Sequence, residues 1–406
     1  MSTQPPKSRP RRQSQRLRQS SPMLLPLAIL PIDIIIEILS RLTVKHLMQM
    51  KCVCKSWKTL ISDPKFIQKH LSRSKKNSNM SVVSSHTFIH FPLSHLLENR
   101  PITLPEDPYY RFDKNHRGQV LGSCNGLICL MDYSPHKFVL GTVHLKVWFR
   151  LWNPATRTIS NILGSSLFCN KRFRLKNFFA FAFGYDNSTN IYKVVALSFG
   201  GEIVRVFSFG DNVWRTIQSF PMNTHPRLFR PDLCAGVYLS CTVNWLAYRT
   251  DLVDDSGIKK LVIISLDLST ERYTQMLPPQ GFDQKEYVWR NLCVLKNSLC
   301  FYQDLFRTDF VIWQMTEFGD EKSWTQFLTF SYQSIGMNNE IVSEIYLFLT
   351  PLHLSQDGDT LVLAINRERR AILYNRRTKR SGKTKINKNI DWFSIKDYVE
   401  SLVTTC

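Results

Sequence analysis

The sequence lacks an apolar run of the about 18 residues that a helix needs to cross a bilayer. A basic N-terminal segment leads into the apolar stretch MLLPLAIL, which superficially resembles a secretory signal. However, Pro26 and Pro31 interrupt this stretch, Asp33 and Glu37 follow at once, and no small-residue cleavage site precedes the next predicted helix. We therefore expect no membrane span, no signal peptide and no membrane partner.

Cysteine is sparse, with 10 residues in a chain of 406, and without a secretory signal we expect these thiols to stay reduced. None of the closely spaced pairs has the C-x-x-C spacing of a zinc site; these pairs are Cys52/Cys54, Cys124/Cys129, Cys234/Cys241 and Cys293/Cys300. The sequence also lacks a glycine-rich phosphate loop, a G-x-S-x-G elbow, an H-E-x-x-H motif and a framed carboxylate pair. We therefore predict no metal site, no cofactor and no catalytic residue.

Acidic residues are in deficit, because 32 Asp and Glu stand against 53 Lys and Arg, which gives a net charge of +21. Much of the excess is local, since residues 1–20 and 371–390 are basic and contain no acidic residue. Such segments can direct nuclear import or bind nucleic acid, but solvated tails are commoner. We predict a basic, disordered tail over residues 1–24, expect the protein in the cytoplasm and/or the nucleus, and do not favour nucleic acid as a partner.

Residues 30–71 are rich in apolar side chains at helical spacing. In the first predicted helix these side chains form a broad stripe made of Ile34, Ile35, Ile38, Leu39 and Leu42. A second short helix is predicted over residues 45–51, and a third begins near Cys52. Asp63 and Pro64 then interrupt the pattern before a last turn. The sequence therefore predicts a compact three-helix unit within residues 25–72.

This helical unit resembles an F-box. The residues that carry the resemblance are Leu30-Pro31, Glu37-Ile38-Leu39, Leu42, Val44, Leu47 and the run Cys52-Val53-Cys54-Lys55-Ser56-Trp57. The resemblance implies that the unit docks on a Skp-type adaptor, which couples it to a cullin-RING ubiquitin ligase. The adaptor-binding residues it implies are Leu30, Pro31, Ile34, Ile38, Leu39, Leu42, Val44, Leu47, Val53 and Trp57. The alternative is an ordinary helical unit that packs on its own chain.

From about residue 81 to residue 404 the sequence changes to short aromatic and β-branched runs separated by turn residues, which indicates an all-β domain. Two series of hairpins interleave, and each repeats about every 50 to 60 residues. The predicted turn centres are Asn125, Asn153, Ser188, Gly210, Val243, Asp267, Asn297, Gly319, Gly358 and Asn375. Two hairpins per period predict the four-stranded blades of a β-propeller.

Residues 81–118 and 386–406 are together long enough to form one more blade, shared between the two ends of the domain. Such a blade would remove the exposed sheet edges of an open array. Six blades are therefore favoured, and a β-sandwich built from the same hairpins is the alternative. The predicted fold is α+β with two domains, a small N-terminal three-helix unit and an all-β propeller-like domain.

The hairpins carry a second resemblance, to the F-box-associated, kelch-like domain of a large plant F-box family. The segments concerned are GSCNGLICL, LWNPATRTI, FAFGYDNSTNIYKVVAL, VFSFGDNVWRTI, IISLDLSTERY, FGDEKSWTQF and YVESLV. Taken together, the two resemblances imply a non-catalytic receptor that presents an unidentified target protein to the ligase. A nucleic-acid-binding or a carbohydrate-binding propeller is the alternative in another functional class.

The connector over residues 160–179 is unusually basic and aromatic. We predict that it binds the target, because arginine and aromatic side chains suit an acidic or phosphorylated segment. The candidate residues are Phe168, Arg172, Phe173, Arg174 and Lys176. The alternative is a solvated loop whose phenylalanines turn into the neighbouring blade.

Overall fold

The computed structural model describes residues 30–75, 79–84, 87–92, 98, 107, 119–139, 142–171, 179–198, 202–221, 224–226, 236–253, 259–282, 288–305, 308–337, 349–365, 371–384 and 395–405. The predicted tail over residues 1–24 lies outside these ranges. Residues 30–75 form a helical domain, and the strands that follow form a β domain.

The helical domain contains four helices: α1 (Ile32–Leu39), α2 (Val44–Met50), α3 (Lys55–Ser62) and α4 (Pro64–Ser74). The prediction of three helices and a last turn was wrong, because the Asp63-Pro64 pair begins a helix of 11 residues. The Asp63 carboxylate accepts hydrogen bonds from the amides of Lys65 and Phe66, and Pro64 occupies the first turn, where no amide is needed. The Asp63-Pro64 pair therefore ends α3 and also begins α4.

The core of the helical domain consists of buried apolar side chains from all four helices: Leu39, Val44, Leu47, Ile61 and Phe66. A further side chain in this core, Leu402, comes from the far end of the sequence. Helix α4 is also tied to the α1–α2 turn, because His70 Nε2 lies 3.0 Å from the carbonyl oxygen of Leu42. Burial lowers the pKa of His70, so this contact is made by the neutral ring.

The β domain contains 25 strands in six antiparallel sheets within the described residues. Sheet 1 contains β1 (Asn79–Ser84), β2 (Thr87–Pro92) and β25 (Ile395–Asp397). Sheet 2 contains β3 (Gln119–Cys124), β4 (Leu127–Val139), β5 (Thr142–Asn153), β6 (Thr158–Ile159) and β7 (Leu163–Lys171). Sheet 3 contains β8 (Phe179–Asp186), β9 (Ile191–Ser198), β10 (Val204–Ser208) and β11 (Val213–Thr216).

The other three sheets follow in chain order. Sheet 4 contains β12 (Thr224–Pro226), β13 (Val237–Leu239), β14 (Thr242–Val253), β15 (Lys259–Asp267) and β16 (Tyr273–Met276). Sheet 5 contains β17 (Trp289–Leu295), β18 (Ser298–Leu305), β19 (Asp309–Met315) and β20 (Trp324–Ser331). Sheet 6 contains β21 (Leu349–Leu354), β22 (Thr360–Ile365), β23 (Ala371–Asn375) and β24 (Arg380–Lys383). Short 3₁₀ helices lie at Glu321–Ser323 and Tyr332–Ile335.

The sheets contact one another in an order that returns to its start. Strand β3 contacts β8, β8 contacts β13 and β14, and both of these contact β17. Strand β17 then contacts β21, β21 contacts β25, and β25 contacts β3. Sheet 1 joins the two ends of the domain, because β1 pairs with β25 in the register Met80↔Asp397. This arrangement fits a propeller-like domain.

Nine of the ten predicted turn centres lie at or beside the ends of paired strands: Asn125, Asn153, Ser188, Gly210, Asp267, Asn297, Gly319, Gly358 and Asn375. The prediction at Val243 was wrong, because Val243 is buried in β14. The turn lies just before it, at Ser240 and Cys241, which both adopt positive φ.

Four of these turns share an Asx-x-x-Thr sequence, and they begin at Asn153, Asp186, Asp267 and Asn375. In each turn the Asx side chain accepts a hydrogen bond from the amide of the Thr three residues later, at 2.8 to 3.4 Å. The residue after each Thr has a φ of 54° to 59°. An Asx acceptor stabilises such a turn, and a carboxylate and an amide oxygen serve equally well.

Candidate functional site

The helical domain exposes large aliphatic side chains along α1 and at the turn before α3. Leu30, Ile32, Ile34, Ile38 and Val53 are each 45% to 63% exposed, and we call them the exposed aliphatic set. Ile34 and Ile38 are one helical turn apart and therefore lie on the same face of α1. Scattered exposed aliphatics are ordinary, but five of them within one small domain make it a candidate interaction surface.

The structure divides the predicted adaptor-binding residues into two groups. Leu30, Pro31, Ile34, Ile38 and Val53 are exposed, which is compatible with docking. Leu39, Val44 and Leu47, which are also predicted to bind the adaptor, are at most 3% exposed and form the helical core, so their side chains are not on the surface of the domain. Leu42 and Trp57 are half-buried against the same core. One short apolar block therefore supplies both a core and a surface.

Charged contacts centred on Glu37 link α1 to α4. The Glu37 carboxylate accepts hydrogen bonds from Arg41 at 2.8 Å and from Arg73, and it forms an ion pair with Lys69 at 3.1 Å. Arg73 also donates to the Glu37 carbonyl oxygen at 3.0 Å. These cations, Arg41 first, lower the pKa of Glu37 from 4.5 to about 2. Lys69 and Arg73 belong to α4, so the network fixes α1 against α4.

The start of α3 is positively charged. Lys51, Lys55 and Lys58 lie around Val53 in the sequence, and Lys55 and Lys58 are exposed. Burial, followed by the nearby charge of Lys58, lowers the pKa of Lys51. An acidic surface on a partner would relieve this repulsion and guide its approach.

Sequence analysis missed Ile32, which is 54% exposed. Its position directly after Pro31, at the first residue of α1, was the available signal, because a side chain in the first turn lies at the edge of a helix packing surface.

In the β domain, Phe168 is not available to bind a target. Its ring is buried, with centroids 4.9 Å from Phe179, 5.2 Å from Phe181 and 5.3 Å from Trp214. The Arg205 guanidinium lies 4.9 Å from the centroid of the Phe168 ring. The prediction of an exposed anchor was therefore wrong at this residue, because Phe168 joins sheet 2 to sheet 3. The other candidates, Arg172, Phe173, Arg174 and Lys176, lie outside the described residues.

The described residues can be searched for reactive thiols, metal ligands and membrane-spanning helices. Burial raises the pKa of the Cys124 thiol to about 12 and raises that of Cys129 well above its ordinary value, so neither thiol is set up as a nucleophile. Within the described ranges no group of three or more His, Cys, Asp or Glu side chains could hold a metal ion. Nor does any helix in this part of the chain have the length and apolar character needed to cross a membrane.

A cavity of about 490 Å³ lies between α4 and sheets 2 and 3. Its lining includes Gln68 and Leu71 of α4, Tyr185 and Tyr192 of sheet 3, and Val403. The helical domain and the β domain are therefore not packed directly against each other on this side.

Comparison with known proteins adds to these observations. A family model described as F-box domain matches residues 27–69, and one described as F-box associated beta propeller domain matches residues 77–405. The F-box/kelch-repeat protein At3g23880 of Arabidopsis thaliana is 28% identical over 313 residues, which cover 74% of this chain and 79% of that protein. The F-box protein CPR1 of the same plant is 24% identical over 402 residues, 94% of this chain and 90% of that protein. A solved structure from the nidogen/laminin complex covers 80% of this chain and 99% of its own at a TM-score of 0.39 and 9% identity, which is too weak a likeness to carry an argument.

Proposed function

Because this chain belongs to the plant F-box proteins that carry an F-box associated beta propeller domain, we propose that it is the substrate-recognition subunit of a Skp-cullin-F-box type ubiquitin ligase. In this proposal the helical domain, hereafter the F-box, docks on a Skp-type adaptor, and the β domain holds a target protein. F-box proteins are in general adaptors or substrate receptors rather than enzymes, and neither matched family model is catalytic. The contribution of the chain to the rate is then proximity.

The observation that carries this proposal is the exposed aliphatic set. Ile34 and Ile38 lie about half exposed on α1, while the Glu37 network links that helix to α4. Aliphatic side chains that leave water on binding supply most of the affinity of a docking helix. Pre-organisation of α1 keeps the entropy cost of docking low.

We further propose that the six sheets are six blades of a closed ring. Support comes from the contacts that lead from β3 through β8, β14, β17, β21 and β25 back to β3. A closed ring leaves no sheet edge open at the two ends of the domain, which suits a rigid platform for target loops.

The ligase role is tested by affinity purification of the full chain and of a chain that lacks residues 30–75. We expect the full chain to recover a Skp-type adaptor and a cullin, and the shortened chain to recover neither. Failure of the full chain to retain a purified Skp-type adaptor in vitro would rule out the proposed function.

The target-binding role of Arg172, Phe173, Arg174 and Lys176 stays a proposal. Charge reversal of Arg172 and Arg174 should abolish recovery of ubiquitinated partners while adaptor binding is unchanged. If mass spectrometry recovers the same partners from the double variant, another surface holds the target.

We also propose that the protein works in the cytoplasm and/or the nucleus, on the strength of its basic segments and the ligase role. Imaging of a fluorescent fusion tests this proposal, and a signal confined to a secretory compartment would contradict it.

A further inference from the structure

Residues 398–405 run between the F-box and the β domain and contact both. Their side chains alternate in direction. Leu402 is 2% exposed and lies in the F-box core with Leu39, Val44 and Leu47. Its neighbours Ser401 and Val403 pack instead on the β domain.

One buried side chain of the β domain makes several hydrogen bonds to the segment. Asn153, which is fully buried at the β5–β6 turn, donates its Nδ2 to the carbonyl oxygen of Ser401 at 3.0 Å and to that of Val403 at 2.8 Å. The Tyr398 hydroxyl donates to Asn153 Oδ1 at 3.3 Å and accepts from the amide of Ala155 at 3.2 Å. Asn153 thus binds the backbone of the segment on both sides of Leu402.

Close packing leaves the segment no room to shift. Ser401 is fully buried beside Gly126, whose φ is +80°. A Cβ atom at Gly126 would overlap the Ser401 side chain and would lie 2.6 Å from the carbonyl oxygen of Val399. Glycine is therefore required there both by the backbone angle and by the approach of the segment.

One further contact and one cavity lie between the two domains. Ala155 of the β5–β6 turn packs on the F-box core, whereas the cavity of about 490 Å³ separates α4 from sheets 2 and 3. Val403, Thr404 and Thr405 line this cavity. Residues 398–405 therefore supply part of the contact between the domains, and domains whose mutual contacts are weakened move relative to each other.

We propose that residues 398–405 form an interdomain clasp that fixes the orientation of the F-box relative to the β domain, with Asn153 and Leu402 as its positioning residues. The clasp itself is a property of this chain alone. Its consequence, a fixed distance between adaptor and target, rests on the proposed function.

Asn153→Asp is the decisive variant. The acid keeps the Oδ1 acceptor that the turn uses for Ala155 and Thr156, but it cannot donate to the two carbonyls of the clasp. Asn375→Asp is the matched control, because Asn375 begins the same type of turn and its Oδ1 accepts from Thr378. Asp267 shows that a carboxylate stabilises such a turn.

The orientation is measured by single-molecule energy transfer between dyes on non-natural amino acids placed at Lys65 in α4 and at Lys322 in the 3₁₀ helix between β19 and β20. We expect a narrow distance distribution for the parent chain and for Asn375→Asp, and a distribution about twice as wide for Asn153→Asp, since a released domain samples many orientations. A distribution for Asn153→Asp as narrow as that of the parent would overturn the proposal.

Leu402 provides a second, independent test if Asn153→Asp lowers the folded fraction of the β domain. Leu402→Ser leaves the turn intact and should widen the distribution, whereas Leu402→Met should restore the parental width because it refills the core. Parental width for Leu402→Ser, with helical circular dichroism unchanged, would likewise overturn the clasp.

The functional consequence is measured separately, on the complex with a Skp-type adaptor, a cullin-RING core and a charged conjugating enzyme. The substrate is the chain itself, whose modified lysines are mapped by mass spectrometry. We expect Asn153→Asp to spread modification over more lysines than Asn375→Asp does. If the parent chain does not bind the adaptor, the proposed function fails, while the dye measurement still decides the clasp.

Discussion

Helix α1 and strand β9 are apolar segments of equal length that differ in burial. Seven of the eight residues of β9, IYKVVALS, are buried, whereas only Leu39 is buried among the eight of α1, IDIIIEIL. A strand inside a stacked sheet is covered on both faces by neighbouring sheets. In the F-box, the other helices together with Leu402 and Ala155 cover only one side of α1.

This difference shows that apolar content alone does not tell a core from a docking surface. What distinguishes the two segments is the number of neighbours that the fold can supply. In β9 the chain provides them all, whereas one face of α1 stays uncovered by this chain. Variants of both domains test this contrast between buried and exposed apolar side chains.

Removal of residues 395–406 should destabilise both domains at once. It deletes β25, which pairs with β1, and it takes Leu402 out of the F-box core. We expect the loss in free energy of unfolding to exceed the about 3 to 5 kcal/mol typical of one large core side chain. Urea unfolding measures it, and a midpoint equal to that of the parent would instead favour an open sandwich.

Phe301→Ala and Ile34→Ala compare a covered with an uncovered apolar side chain. Phe301 in β18 is fully buried, so its loss should cost about 3 to 5 kcal/mol of unfolding free energy. Ile34 is 45% exposed, and its loss should stay within about 0.5 kcal/mol. Similar costs for the two variants, measured by urea unfolding, would contradict the contrast between the domains.

Ile38→Asp tests docking directly. An acid in a desolvated interface should weaken binding to a Skp-type adaptor by about 2 kcal/mol or more, while the melting temperature stays near that of the parent. Phe318→Asp is the control, because Phe318 is also exposed but lies in the β19–β20 connection of the β domain. Calorimetry that finds equal affinities for the two variants would remove the exposed aliphatic set from the docking surface.

The pH dependence of the F-box should be the smallest effect. Glu37 has a pKa of about 2 in the folded chain, below its ordinary value of 4.5, so its ionised form stabilises the fold above about pH 4.5. This contribution is lost as the pH falls from about 5 towards 2. Helical circular dichroism against pH measures the loss. Glu37→Gln should remove this part of the slope, and an unchanged slope would mean that other groups cause it.

The repeating part of the fold could be predicted from sequence because turn chemistry is local. Asn153, Asp267 and Asn375 each fix their own turn through a side-chain acceptor, so the hairpins could be placed without knowledge of the rest. The turn predicted at Val243 was misplaced, because the actual turn is made by Ser240 and Cys241, which have no Asx side-chain acceptor.

The candidate site was less predictable, because it depends on which apolar side chains the rest of the fold buries. Leu47 and Ile38 are both apolar positions of the same motif, and only packing tells that Leu47 is core and Ile38 is surface. Phe168 was predicted to be an exposed anchor because it lies in a basic connector. In the structure it belongs to β7, and its ring packs against aromatic rings of sheet 3. The role of Leu402 depends on a contact between distant parts of the chain, which no local pattern reveals.

The place of Leu402 in the F-box core has a consequence for the order of protein synthesis. The four helices are synthesised long before Leu402. The F-box core therefore lacks this side chain while the β domain is being made. A chain that terminates early carries an F-box whose core lacks one side chain and whose helices are not anchored to a finished β domain. The F-box core is thereby completed only after the strands of the β domain have been synthesised.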